Sequence, residues 1–529
     1  MKKKKYLFLD DRSLELGTSW NFPDELGLKR GKKVDEEGMI YPGVLGPLAR
    51  VKRVMHQPER HGDFPLIGAD RPWEGTLPYF GGRFLNRVPG TNKLRMYYQC
   101  WTLELNPEIA ASSDPSNPTA AVPGVNTIEH AKFCMAESED GLNWEKPSLG
   151  AIEWEGSTDN NIVLDEPYCG CIWGGVMADP DEEDERKRWK AFTFGSPGSW
   201  HGACVYFSPD GIRWTPYERN PVLTARLDAG DSYMLYGWDP RIRKYVTYIR
   251  PPDWYNHYPD TPYHRVTEGN WPFDASMKNH PYRTIGRSTS DDFIQWTIPE
   301  EVLAPDLEDP IGTQFYGFTV SEYEGYYVGH VWNYQTDSED DGMTIDLATS
   351  ADGIKWNRFR DGKPFFEAGD EGPWESKMIM ATTSPFLIMG DEVWMYYAAF
   401  NCTHYGTEFP KRKSGIGLCK LRLDGFIGIS SEGEEGYFMS RPIDLDGDDC
   451  KLEINADASR GYLKVGLIDE NHRPVSGYSD AECVPLEKDE IHHIVRWREN
   501  ENLSALGIRR VYFMFRLKDA EIFSYTVGA

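Results

Sequence analysis

Two tetrapeptides far apart in this chain are near copies of each other, Pro72-Trp73-Glu74-Gly75 and Pro373-Trp374-Glu375-Ser376. A third acidic position, Asp231, stands in Gly230-Asp231-Ser232-Tyr233, with Asp228 close before it. Carboxyl groups carry acid–base chemistry when their surroundings keep one protonated and another ionised, and a Trp beside them offers a flat apolar face. Other chemistries have less footing. The nine cysteines (Cys100, Cys134, Cys169, Cys171, Cys204, Cys402, Cys419, Cys450, Cys483) are scattered and not spaced as zinc ligands, and Cys169-x-Cys171 is too tight for a CxxC site. They read as small buried hydrophobes in a reducing compartment. His404, in Asn401-Cys402-Thr403-His404, stands alone.

The elements that must position these residues follow from a repeat. Ser138-Asp140-Gly141-Trp144, Ser208-Asp210-Gly211-Trp214, Ser290-Asp292-Phe293-Trp296 and Ser350-Asp352-Gly353-Trp356 share one spacing, and Leu423-Asp424-Gly425-Phe426 is a fainter fifth copy. Successive Asp residues are 70, 82, 60 and 72 positions apart, the length of a four-stranded sheet with variable loops. In each copy the Asp can accept from amides of its own turn, Gly tolerates positive φ, and the Trp can pack between sheets. An aromatic strand precedes each copy: Leu94–Gln99, Arg188–Phe192, Lys244–Tyr248, Tyr326–Val331 and Glu392–Tyr397. Five such strands predict five blades of a β-propeller, all-β in class.

After Ser431 the repeat stops, and short alternating strands such as Lys451–Asn455, Gly461–Ile468 and Val511–Leu517 predict a β-sandwich over 432–529. The propeller is expected over 71–431, and residues 1–70 as a lead-in that packs on it. With 57 basic against 84 acidic residues the formal charge is -27, which repels nucleic acid and anionic membranes. The apolar run after Met1-Lys2-Lys3-Lys4-Lys5 is too short for a signal peptide, and no stretch is long enough to span a bilayer. A cytoplasmic protein is expected, or a secreted or periplasmic one whose leader was removed.

The turn repeat and its strands resemble the five-bladed furanosidase-type propellers, the superfamily of invertases, levanases, arabinanases and β-xylosidases, many of which carry a C-terminal sandwich. The resemblance covers Arg71 to about Ser431. It implies a glycoside hydrolase whose three carboxylates project from first strands into a central pocket, one protonating the leaving oxygen and one acting across the sugar ring. Glu74 then takes the first position, where the family has Asp. Asp231 matches the Asp of the family's Arg-Asp-Pro triplet, with Asp228 as a nearby substitute. In blade four Gln314 stands where an acid is expected, and an amide cannot deliver a proton. Glu375, in the repeated Trp-Glu context of blade five, is the replacement donor.

The same resemblance implies a sugar pocket lined by Trp73, Trp374, Gln314, Tyr316 and Trp254 of the aromatic insertion 251–282, with Asp179 read mainly as a hairpin turn. His404 resembles an inward-facing His of the arabinanase-like branch that organises a cation or water, so a structural cation near the axis is an option. No metal or cofactor is required for the chemistry. Two other readings stand beside hydrolysis: a carbohydrate-binding propeller without turnover, favoured by Gln314, and a sialidase-like enzyme, which needs an arginine triad. Phosphorolysis is a further variant, with Arg71, Arg83 and Arg95 available to an anion.

Overall fold

The computed structural model describes residues 3–15, 32–34, 40–42, 48–75, 77–105, 127–165, 174–195, 202–224, 232–251, 283–310, 312–335, 342–369, 374–403, 413–445 and 449–528. The described chain is strands and short 3-10 turns. It divides into two compact units, one of 58–387 and 394–420, the other of 1–57, 388–393 and 421–529.

The larger unit is built from five antiparallel sheets in chain order. Blade one runs Leu77–Tyr79, Leu94–Leu105, Thr127–Ser138 and Ile162–Leu164. Blade two runs Gly174–Ala178, Trp189–Gly195, Gly202–Ser208 and Thr215–Pro216. Blade three is Tyr233–Asp239, Lys244–Ile249, Ile285–Ser290 and Glu300–Leu303, and blade four is Thr313–Tyr323, Tyr326–Gln335, Met343–Ser350 and Trp356–Arg358. Blade five uses Met378–Thr382, Glu392–Phe400 and Ser414–Arg422, and its outermost strand is Glu59–Arg60 from before blade one. That borrowed strand fastens the last blade to the start of the propeller.

The repeated turn is the joint between blades. In each of the four clear copies the Ser Oγ and Asp Oδ1 serve the turn's own amides: Ser138 accepts from Gly141 N at 2.8 Å, and Asp140 from Leu142 N and Asn143 N at 2.8 Å. These bonds hold the Asp140 carboxyl far below the usual range. Each Trp then meets an aromatic ring on the second strand of the preceding blade: Trp144 meets Tyr396, Trp214 meets Tyr97, Trp296 meets Phe192 and Trp356 meets Tyr248. Three of those rings are tyrosines, whose hydroxyls donate across the joint to the carbonyls of Gly141, Gly211 and Gly353. In the fourth, Phe192 has no hydroxyl, and the turn glycine is replaced by Phe293, which stands at φ 66° and packs on Phe192. A hydrophobic contact has replaced a hydrogen bond at that joint. Blades four and five meet through Thr319 and Thr382, whose hydroxyls are 2.7 Å apart, and through Tyr323 on Phe386. With all five joints made, the ring closes.

The smaller unit is a β-sandwich. One sheet contains Asp489–Ile494, Lys451–Asp457, Ala520–Gly528, Ile427–Ser431 and Lys52–Met55, and the other Ile443–Asp444, Arg510–Lys518, Gly436–Met439 and Leu48–Ala49. Their facing side chains form one core that includes Phe8, Leu452, Val465, Trp497, Phe513 and Tyr525. The N-terminal residues divide differently from the expected lead-in. Lys4–Leu7 pairs with Ala520–Gly528, Tyr6 stacks on Tyr525 at 4.8 Å, and Leu48–Ala49 and Lys52–Met55 join the two sheets, so these segments complete this sandwich. The short apolar run Tyr6–Leu9 is a strand end whose Leu7 and Phe8 are buried.

Candidate functional site

Glu74 is fully buried in the short 3-10 turn Pro72–Glu74 that precedes the first strand of blade one. Its carboxylate accepts from Tyr98 Oη at 2.6 Å, from the amides of Asp70 and Arg71 at 2.9 and 3.0 Å, and from Lys146 Nζ at 2.7 Å. Lys146, only 6% exposed, also meets Asp70 at 2.6 Å. Burial works against the Asp70 charge, but the bond to Lys146 and its positive charge prevail and hold that carboxyl below its usual range. The neighbouring Trp73 donates to Asn161, beside the outermost strand, and packs edge-on against Trp154.

Glu375 occupies the corresponding place in blade five. It accepts from Tyr397 Oη at 2.7 Å and from Arg60 Nε at 3.1 Å, Arg60 lying in the outermost strand. Trp374 stacks on Tyr397 and donates to Asp63 O. Buried beside these carboxylates, the phenols of Tyr98 and Tyr397 are raised well above their ordinary values, burial being the larger cause in both. The two Trp-Glu copies are therefore equivalent parts of two blades, each tied to its own tyrosine and its own cation. Glu74 and Glu375 share no bonding partner: each meets a tyrosine on the second strand of its blade and a cation, Lys146 after the third strand of blade one and Arg60 in the outermost strand of blade five. Trp73 and Trp374 likewise have separate partners.

Asp179 ends the first strand of blade two, and its Oδ2 accepts from Lys190 Nζ at 2.9 Å and from Tyr245 Oη of blade three at 2.6 Å. Asp239 repeats this one blade on, accepting from Tyr327 Oη at 2.6 Å. Both are hairpin residues that bolt adjacent blades at the C-terminal ends of first strands. Asp228, Asp231, Trp254 and His404 lie outside the described residues. Among the described residues no group of three or more His, Cys, Asp or Glu side chains could hold a metal ion. The seven described cysteines are all buried.

At the opposite ends of the first strands, where blades three and four begin, the structure gathers a polar cluster. Gln314 is fully buried and accepts from Arg283 Nη1. Arg250 donates to Ser232 Oγ at 2.7 Å and to Tyr316 O at 3.2 Å. The guanidiniums of Arg250 and Arg283 lie 5.4 and 5.2 Å from the Tyr316 ring, and Tyr334 meets that ring edge-on. Of the expected substrate contacts, Gln314 and Tyr316 are thus brought together. Sequence reasoning passed over the two arginines. Their signal was position: they flank the aromatic insertion, Arg250 at its start and Arg283 at its end. Arg95, one of the candidates for an anion, is instead paired with Glu137 at 2.8 Å.

The class this fold defines is a five-bladed β-propeller with a β-sandwich. No protein-family model matches the sequence, and no curated protein matches it. Among solved structures, a thermostable family-43 glycoside hydrolase is 13% identical, covering 67% of this chain and 93% of its own, with a TM-score of 0.42. An arabinoxylan arabinofuranohydrolase of glycoside hydrolase family 43 from Bacillus subtilis is 12% identical, covering 87% of this chain and 98% of its own at a TM-score of 0.38. A fructofuranosidase from Schwanniomyces occidentalis is 10% identical, covering 88% and 97% at 0.39. At these values the likeness assigns no activity to this chain.

Proposed function

We propose that this protein is a glycosidase that cleaves an oligo- or polysaccharide at the mouth of the propeller where the first strands begin. The observation that carries the proposal is the cluster of Ser232, Arg250, Arg283, Gln314 and Tyr316 at that end of blades three and four. Amide, hydroxyl and guanidinium groups around an aromatic ring suit a polyhydroxylated ligand, whose hydroxyls need directed partners and whose C–H face stacks on a ring. Asp231 immediately precedes Ser232 in sequence and is the candidate carboxylate for this mouth. Glu74 and Glu375 serve as positioning carboxylates that hold the segments leading into blades one and five.

One observation favours a second reading, a carbohydrate-binding propeller without turnover. Gln314 holds the place of a proton donor and is itself engaged by Arg283, and an amide has no proton to give. A panel of aryl glycosides and plant or algal oligosaccharides, followed by product analysis and calorimetric binding, separates the two. Turnover that falls by orders of magnitude in Asp231→Asn, with the thermal midpoint unchanged, supports the glycosidase. Saccharide binding without any product establishes the second reading, and neither binding nor turnover across the panel rejects both.

A further inference from the structure

The two-residue strand Gly82–Arg83 sits inside the ring of first strands. It pairs in parallel with Gly174 and Gly175 of blade two, and Gly82 bridges to Thr383 of blade five, whose hydroxyl donates to Gly82 O at 2.9 Å. A Cβ at Gly82 would stand 1.9 Å from Gly174 O, so only a glycine lets the backbones approach this closely. From that strand Arg83 reaches blade three, where Nη1 donates to Tyr236 O at 2.9 Å. Gly237, at φ 104° and beside a shift in strand register, lies next to the guanidinium. A Cβ there would lie 3.4 Å from both Arg83 Nε and Met177 Sδ. Tyr236 and Gly237 lie in the second half of Tyr233–Asp239, whereas Gln314 and Tyr316 open Thr313–Tyr323. The guanidinium therefore lies towards the opposite end of the channel from the saccharide mouth.

No carboxylate among the described residues pairs with Arg83, and its buried Nε has no hydrogen-bond partner. Its side chain is part-buried, and burial disfavours the charged guanidinium. Three buried cations of this propeller are neutralised by carboxylates: Lys146 by Glu74 and Asp70, Lys190 by Asp179 and Glu182, Arg95 by Glu137. A guanidinium does not shed its proton to escape the cost of desolvation, so its charge calls for a counter-ion.

We propose that Arg83 holds a small monovalent inorganic anion, of the halide class, in the channel beside Gly237. The surroundings set the class. One cation with Met177 and backbone around it can neutralise a single charge, whereas a phosphate dianion needs several further donors. The site is independent of any saccharide activity.

The test is thermal unfolding of the full chain at fixed ionic strength, with sodium chloride or bromide exchanged for sodium gluconate. A ligand held only by the native state raises its stability, so the wild-type midpoint is expected to rise with halide and level off, and Arg83→Met to lose that increment. Equal increments in the two proteins, or none in the wild type, overturn the proposal. Because Arg83→Met can fail to fold, wild-type crystals soaked in bromide give a second measurement. An anomalous peak within about 3.5 Å of the guanidinium nitrogens supports the site. Bromide on the surface but not there, an adventitious ion only, overturns it.

Discussion

Replacing Glu74 by Gln separates a structural carboxylate from a reacting one. The side chain is fully buried and meets Lys146, which is 6% exposed. Removing one partner of a buried ion pair costs about 3–5 kcal/mol, because the other charge is left desolvated. Here Lys146 keeps Asp70 at 2.6 Å, but Asp70 is 65% exposed and its attraction is screened by solvent. The glutamine oxygen can still accept from one of the donors, Tyr98 Oη or the amides of Asp70 and Arg71, while its NH2 group faces the rest. The expected loss is therefore about 2–3 kcal/mol. At about 2 °C per kcal/mol for a large unit, the thermal midpoint of the propeller falls by about 5 °C. Urea unfolding followed by Trp fluorescence measures the loss, and turnover assayed well below the transition measures the chemistry. Near-normal turnover in a destabilised Glu74→Gln is the expected result. Turnover reduced by orders of magnitude at an unchanged urea midpoint would refute the structural role and return Glu74 to the reacting centre.

Two further perturbations test the joints between blades. His330 is buried at the joint of blades four and five, 3.1 Å from Thr382 Oγ1, and burial lowers its pKa to about 4. The unfolded chain, with a histidine near 6.5, binds the proton first as pH falls, so native stability should drop by about 3 kcal/mol between pH 6.5 and 4. His330→Gln should flatten that limb of a pH series of urea midpoints, and parallel limbs in the two proteins would exclude this origin. Gly211 stands at φ 75°, and a Cβ there would lie 2.5 Å from Tyr97 Oη and 2.8 Å from Arg95 Nη1. Gly211→Ala should cost about 2 kcal/mol or more. Gly90→Ala, at φ 76° with nothing within 4 Å, should cost only about 1 kcal/mol of backbone strain; equal losses in urea unfolding would contradict the packing argument.

Much of the architecture was legible in the sequence because its signals are local or repeated. Asp140, Asp210, Asp292 and Asp352 bond amides two and three positions on, so a short pattern contains the whole interaction. A Trp at constant spacing from each of them shows that something must lie at a constant place, and five aromatic strands number the sheets. The Trp-Glu echo of blades one and five was also a true repeat. What a repeat cannot state is where on the blade its residues lie. Read along the chain, Glu74 and Glu375 look like one pair; in the fold each has its own cation, Lys146 for Glu74 and Arg60 for Glu375. Arg60 is 315 positions from Glu375, and Tyr6 packs on Tyr525, so neither contact leaves a periodic trace. The same holds for Arg250 and Arg283 around Tyr316 and for Arg83 reaching blade three. Local hydrogen bonding and repeated packing determine which sheets form and in what order. Only the tertiary structure determines which cation each carboxylate meets, because those partners come from distant segments of the chain.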